Sequence, residues 1–243
     1  MMTAKFDEQA SEYDAKAIIQ RDLASWTAEW LEPRAFGLQG VEFGAGTGCF
    51  TRFVIQTGID LRAVDLSPQM IDIGAEMEPK ASWELGDAWK PSSKLNADRL
   101  FSCALLQWCP DPIAVLSRWH DCLSGNGRLL SGLFVSDTLP EFSQVLPSIE
   151  PFVWRSKAEW ENLFEKAGFK IFRSESSKRK YQFENARAVL RHLHHIGAVI
   201  SGRISVSALR TALLNYDTAF GTHNGVPSTW TFFRIECLGG KTD

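Results

Sequence analysis

Val41-Glu42-Phe43-Gly44-Ala45-Gly46-Thr47-Gly48 is the stretch on which the reading of this chain turns. A short strand-like run enters a glycine-rich turn, and a helix is predicted to follow over residues 51–56. Glycines at a strand-to-helix turn let the backbone bend tightly and approach a ligand closely. The spacing alone is a weak signal, because any glycine-containing loop can produce it. Three features add weight: the run follows a strand, Glu42 stands just ahead of it, and Asp65 closes the next predicted strand about 20 residues on, where ribose hydroxyls are read in such folds.

Outward from this loop, strand-like and helix-like patterns alternate. Residues 20–31 read as an amphipathic helix ending before Pro33, and residues 61–64 as a second strand. Ser67 caps the next helix, with Pro68 at its first position. Residues 81–85 form a third strand ending at Gly86-Asp87. Residues 100–105 form a fourth, followed by the loop Gln107-Trp108-Cys109-Pro110-Asp111. A helix over 113–123 and a turn at Ser124-Gly125-Asn126-Gly127 lead into a fifth strand, 128–134. The fold class expected is α/β, Rossmann-like, a mostly parallel sheet with helices on both faces. Beyond Phe134 come a helix over 159–167 stopped by Gly168, a strand over 169–172, helices over 185–195 and 205–216, and a last strand over 229–237. Residues 184–217 are expected to form a helical insert between late strands, placed to cover the site, within a single domain of 1–243.

The chain has 243 residues, 44% hydrophobic and 23% charged, an ordinary globular balance. Its net charge of −3 gives no global reason to expect a nucleic-acid partner. The start is polar and acidic, unlike a secretory signal. No run reaches the ~18 apolar residues of a membrane span. The five cysteines form neither a CxxC pair nor a regular framework. Free thiols in a reducing cytoplasm are therefore expected.

Nicotinamide sites are read from GxGxxG, whereas Glu42-Phe43-Gly44-Ala45-Gly46-Thr47-Gly48 resembles the class I S-adenosylmethionine (SAM) dependent methyltransferases. By that resemblance, Glu42 and the loop backbone at Gly44, Ala45 and Gly46 hold the methionine portion of SAM. Asp65 takes the ribose, Leu66 flanks the adenine, Asp87 with Ala88 meets the adenine edge, and Leu105 completes the cofactor set. SAM lacks a pyrophosphate and carries a sulfonium and an ammonium, so a loop with a nearby carboxylate suits it. Taken singly, Glu42 also reads as a solvated strand-end acid, Asp65 as a helix cap and Asp87 as a turn acid. Their recurrence at successive strand ends favours a binding site.

Further segments resemble the malonyl-acyl-carrier-protein O-methyltransferases of biotin synthesis. They are Phe6-Asp7, Ala10 and Tyr13-Asp14 at the start, Leu106-Gln107-Trp108-Cys109-Pro110-Asp111 after the fourth strand, and Val189-Leu190-Arg191-His192-Leu193 with Ile196-Gly197-Ala198 in the insert. This chain departs from that pattern at Ala45, at Cys103, at Gly125-Asn126-Gly127 and at Val135-Ser136-Asp137-Thr138. The last departure bears on the acceptor. The resemblance implies methyl transfer from SAM to the free carboxyl of a malonyl thioester on acyl carrier protein. A carboxylate is already ionised at neutral pH, so no general base is needed. What is needed is an aimed cation, and an arginine suits two oxygens best.

Arg191 is the candidate for that cation, with Tyr13 and Trp108 as walls or hydrogen-bond donors. An ion pair for Arg191, and plain core packing for both aromatics, are the ordinary alternatives. His192, His194 and His195 lack the further ligands of a metal site. Lys178-Arg179-Lys180 with Arg187, Arg191, Arg203 and Arg210 concentrates positive charge suited to an acidic carrier. Two other readings stand beside this one: methyl transfer to another small carboxylic acid or metabolite, and a SAM-fold protein that binds without catalysis.

Overall fold

The computed structural model describes residues 17–92, 95–145, 154–195 and 205–239. Seven strands form one sheet: β1 (Gln39–Phe43), β2 (Asp60–Asp65), β3 (Ser82–Leu85), β4 (Ala97–Cys103), β5 (Leu123–Phe134), β6 (Lys170–Phe183) and β7 (Val226–Leu238). Their order is β3-β2-β1-β4-β5-β7-β6. The first five run parallel, and β7 is antiparallel to both β5 and β6. The order reverses between β1 and β4, the place where open α/β sheets bind ligands at their carboxyl ends.

The helices are α1 (Ile18–Ala28), α2 (Thr51–Val54), α3 (Pro68–Met77), α4 (Pro112–Asp121), α5 (Pro140–Val145), α6 (Lys157–Lys166), α7 (Ala186–His195) and α8 (Val206–Phe220). Their starts follow local chemistry. Ser67 accepts from the Met70 amide and Asp111 from the Ala114 amide, each ahead of a proline. Ser156 and Glu159 form a reciprocal capping box on α6.

On one sheet face, α4 and α6 bury Trp119, Trp160 and Phe164 against Phe43, Leu100 and Phe233. On the other, Ala24 of α1, Phe50 at the N-cap of α2 and Val54 within it pack on Leu61, Phe101 and Leu130. A further cluster joins Leu23 of α1 and Phe134 to Val189, Leu190 and Leu193 of α7, Tyr216 of α8, and Trp230. The last β5–β7 pair is Phe134 with Phe232, whereas β6 and β7 pair on to Phe183 with Val226. The two-stranded ribbon thus projects past the carboxyl edge of the parallel strands, and it carries the residues against which α7 and α8 pack.

Several boundaries differ from the sequence expectation. The fourth strand starts at Ala97 and ends at Cys103, because Ala104 turns to a left-handed φ of 55°. Leu123 is already strand, and residues 124–127 are a bulge within β5 rather than a turn before it: Ala97 pairs Leu123 while Arg99 pairs Arg128. β6 has 14 residues, far longer than 169–172. Its Ser, Lys, Arg and Glu side chains carry no apolar period, since an edge strand covered on one face can remain polar. Helix α5 had no sequence signal. Among the described residues, no helix is long and apolar enough to cross a membrane.

Candidate cofactor and acceptor site

The glycine loop leaves β1 at its carboxyl end with Gly44 at φ 69° and Gly46 at φ 56°, a region that side chains beyond glycine enter at a cost. The amides of Gly44 and Ala45 donate to the Val64 carbonyl at 2.8 and 3.1 Å, drawing the loop over the end of β2. A Cβ on Gly44 would lie 2.7 Å from the Leu105 side chain, so Leu105 sits directly on the loop. A Cβ on Gly46 would meet nothing among the described residues within 4 Å. The loop backbone at Gly46 therefore faces open space that a bound molecule can approach.

Asp65 ties the second strand end to this loop. Its Oδ2 accepts from the Gly46 amide at 2.8 Å and its Oδ1 from the Ser67 amide at 2.9 Å. Each oxygen has capacity for a further donor such as a ribose hydroxyl. The helix-cap reading of Asp65 is thus only part of its role, since it also fixes the glycine loop. Asp87 accepts from the Trp89 amide at 2.9 Å. Its turn is pinned to α4, where Trp119 Nε1 donates to the Ala88 carbonyl at 2.7 Å. Leu66 is 66% exposed and Leu85, which pairs with Asp65 across the strands, is 60% exposed. Two bare apolar side chains beside these acids suit the faces of a flat base. Leu85 had read simply as the end of a strand.

Glu42 is 1% exposed, not a solvated strand-end acid. Thr51 Oγ1 donates to its Oε2 at 2.7 Å. Burial pushes its carboxyl up to about 8; the Thr51 hydrogen bond opposes this and the nearby Asp65 charge adds to it. A carboxyl so placed is poised to become a carboxylate when a cation arrives. The residue set therefore fits SAM: backbone amides and open space at the loop, two carboxyls for cationic and hydroxyl groups, and apolar walls for the base.

On the acceptor side the expected residues are scattered. Tyr13 lies outside the described residues, as does the whole opening segment. Trp108 closes a short 3-10 turn, Leu106–Trp108, and packs half-buried on the cluster that holds Leu190 and Leu193. Arg191 is exposed on α7, while Val189, Leu190, His192 and Leu193 are buried. His192 lies between Phe183 at 5.4 Å and, edge-on, Trp230 at 6.3 Å. It is a packed aromatic. No group of metal-ligating residues occurs among the described residues.

The expected basic patch is divided. Arg179 stacks on Phe232 and Tyr181 bonds to Asp22 of α1, so Lys178 and Lys180 point to the opposite sheet face. Lys178 pairs with Asp137 at 3.2 Å. Arg187 and Arg191 share the exposed side of α7, and Arg210 is exposed on α8. Arg203 lies outside the described residues. All five cysteines are free thiols.

Residues 41–131 match the family described as a methyltransferase domain. A biotin biosynthesis bifunctional protein, BioHC, of Cellvibrio japonicus is 25% identical over 79% of this chain and 40% of its own length. The match thus spans well under half of that protein. A malonyl-acyl-carrier-protein O-methyltransferase of Alcanivorax borkumensis is 27% identical over 97% of this chain and 85% of its own. Among solved structures, an S-adenosylmethionine dependent methyltransferase from Mesorhizobium loti superposes with a TM-score of 0.56 at 17% identity, covering 88% of this chain and 97% of that one. Residues 41–131 are thus similar to a methyltransferase domain, and the chain has the fold of the methyltransferase structures it superposes on.

Proposed function

We propose that this chain is a SAM-dependent O-methyltransferase that esterifies the free carboxyl of a malonyl thioester borne on acyl carrier protein. The observation that supports the acceptor best is the likeness, over nearly the whole chain, to relatives named for that reaction. In this reading it works in the cytoplasm at an early step of biotin synthesis.

When bound, SAM supplies an electrophilic methyl group on its sulfonium. Glu42, Gly44, Ala45 and Gly46 hold the amino-acid end, Asp65 the ribose, Leu66 one face of the base, and Asp87 and Ala88 its edge, with Leu105 buttressing the loop. The acceptor carboxylate arrives ionised, so none of these residues has to remove a proton. The protein's part is to orient one carboxylate oxygen and to keep water out. Arg191 aims the carboxylate, Trp108 and Tyr13 wall its approach, and the insert, residues 184–217, covers the site. The runner-up is a different small carboxylic acid in the same position.

Mass spectrometry of malonyl-acyl carrier protein incubated with SAM and the enzyme tests this reading. A gain of one methylene mass that depends on SAM supports it. No gain, with SAM binding intact, moves the acceptor to another small acid. No SAM binding at all returns the chain to a non-catalytic binding role.

A further inference from the structure

Two glutamines past the carboxyl end of β4 hold amide oxygens that no group among the described residues satisfies. Gln107 is 6% exposed and sits in the turn after β4. Its Nε2 donates to the Ala104 carbonyl at 2.6 Å, and because a carbonyl can only accept, that bond fixes which way the amide faces. Its Oε1 is left buried without a donor. Gln20 of α1, also 6% exposed, has its Oε1 in the same condition.

Their placement is functional ground. The chain segment after α1 reaches the amino edge of the sheet, where Glu32 grips Arg99 at the start of β4 with two bonds of 2.8 Å. The start of α1 lies toward the opposite, carboxyl edge. There Asp22 accepts from Tyr181, which pairs with Ser228, beyond the last β5–β7 pair. Gln20 stands further out still. Gln107 follows Leu105, which rests on Gly44 of the cofactor loop, and precedes Trp108, which packs with the insert. It therefore bridges the donor side and the acceptor side.

A buried acceptor without a donor forfeits its solvation with no return, and native proteins keep few of them. The same turn carries a second cost, since Ala104 is a non-glycine residue at φ 55°. Strain of this kind gathers at functional sites. A carboxylate cannot repay either oxygen, because at neutral pH it has no hydrogen to donate. An amide N–H can.

We propose that Gln107 and Gln20 accept hydrogen bonds from amide N–H groups in the arm of a thioester acceptor, and so select an arm-borne malonyl group over a small free acid. This rests on the malonyl-thioester reading above and names the part of that substrate the two glutamines recognise. They are specificity determinants; the transferred methyl group touches neither.

The test compares two malonyl thioesters that differ in one group: the 2-acetamidoethyl thioester and its 2-acetoxyethyl analogue, in which an ester oxygen replaces the N–H. Wild type should prefer the amide by about tenfold in kcat/KM. Gln107→Met and Gln20→Met should each reduce that preference, with the loss confined to the amide substrate. SAM titration calorimetry on both variants reports whether the fold is kept. Equal wild-type turnover of the two thioesters overturns the inference without any variant. A preference that survives in both folded variants overturns it as well. If wild type binds SAM yet methylates neither thioester nor malonyl-acyl carrier protein, the malonyl reading itself has failed, which is a different result from equal turnover.

Discussion

At the scale of single residues, Glu42 makes stability depend on pH. Its folded value of about 8 lies above the unfolded value near about 4.3. Between those values the unfolded chain has released a proton that the folded carboxyl keeps. The contribution is therefore fully present below about pH 4.3, falls as pH rises, and is lost above about pH 8. Glu42→Gln should flatten that slope and raise stability relative to wild type above about pH 8, read from urea midpoints at several pH values. Gly46 poses a different test. Alanine there costs about 1 kcal/mol of backbone strain but meets no atom of the described residues. Gly46→Ala should thus unfold only slightly earlier, yet weaken SAM binding at least about tenfold by calorimetry. Asp137 holds φ 67° on the surface. Asp137→Gly should stabilise by about 0.5–1 kcal/mol, because its exposed pair with Lys178 contributes little. A melting temperature at or below that of wild type would refute this.

At the scale of elements, the joint between α1 and the β6–β7 ribbon carries an unusual share of charge. Arg234 of β7 is buried, bonds the Trp26 carbonyl, and pairs with Glu29 at 2.9 Å and Glu175 at 2.7 Å. Its guanidinium also lies over Trp26 at 4.1 Å and Trp30 at 4.3 Å. Both acids are half-exposed or more, so removing the arginine leaves no stranded buried charge. Arg234→Met should therefore cost about 2 kcal/mol in denaturant unfolding, less than breaking a fully buried pair. A neutral outcome would mean that apolar packing, not the guanidinium, holds α1. The element pattern also shows which signals the sequence carried. Ser67-Pro68, Asp111-Pro112 and Ser156 with Glu159 announced three helix starts through local hydrogen bonds. β6 and α5 carried no such signal. β6 is polar because only β7 pairs with it, and α5 is held by distant contacts, Glu141 receiving the Thr229 amide and hydroxyl.

At the scale of the whole molecule, a ligand that binds only the folded state raises its stability by mass action. SAM at about a hundred times its dissociation constant should add about 2.7 kcal/mol, a rise of about 5–10 °C in melting temperature for a chain of this size. Asp65→Ala should abolish most of that rise, since it removes both the ribose partner and the brace on the Gly46 amide. An undiminished rise would show that Asp65 does not contribute. The sequence by itself determined the alternation of strands and helices, the glycine loop, and the acids that close successive strands, because period, caps and glycine spacing are local in the chain. It also carried the resemblance that names an acceptor. Tertiary structure alone decided that Glu42 is buried, that Leu85 is bare, that Lys178 and Lys180 face away from α7, and that Gln107 and Gln20 past β4 hold oxygens unpaired among the described residues. Burial, side-chain direction and hydrogen-bond satisfaction depend on which strands neighbour one another, and no local pattern encodes that.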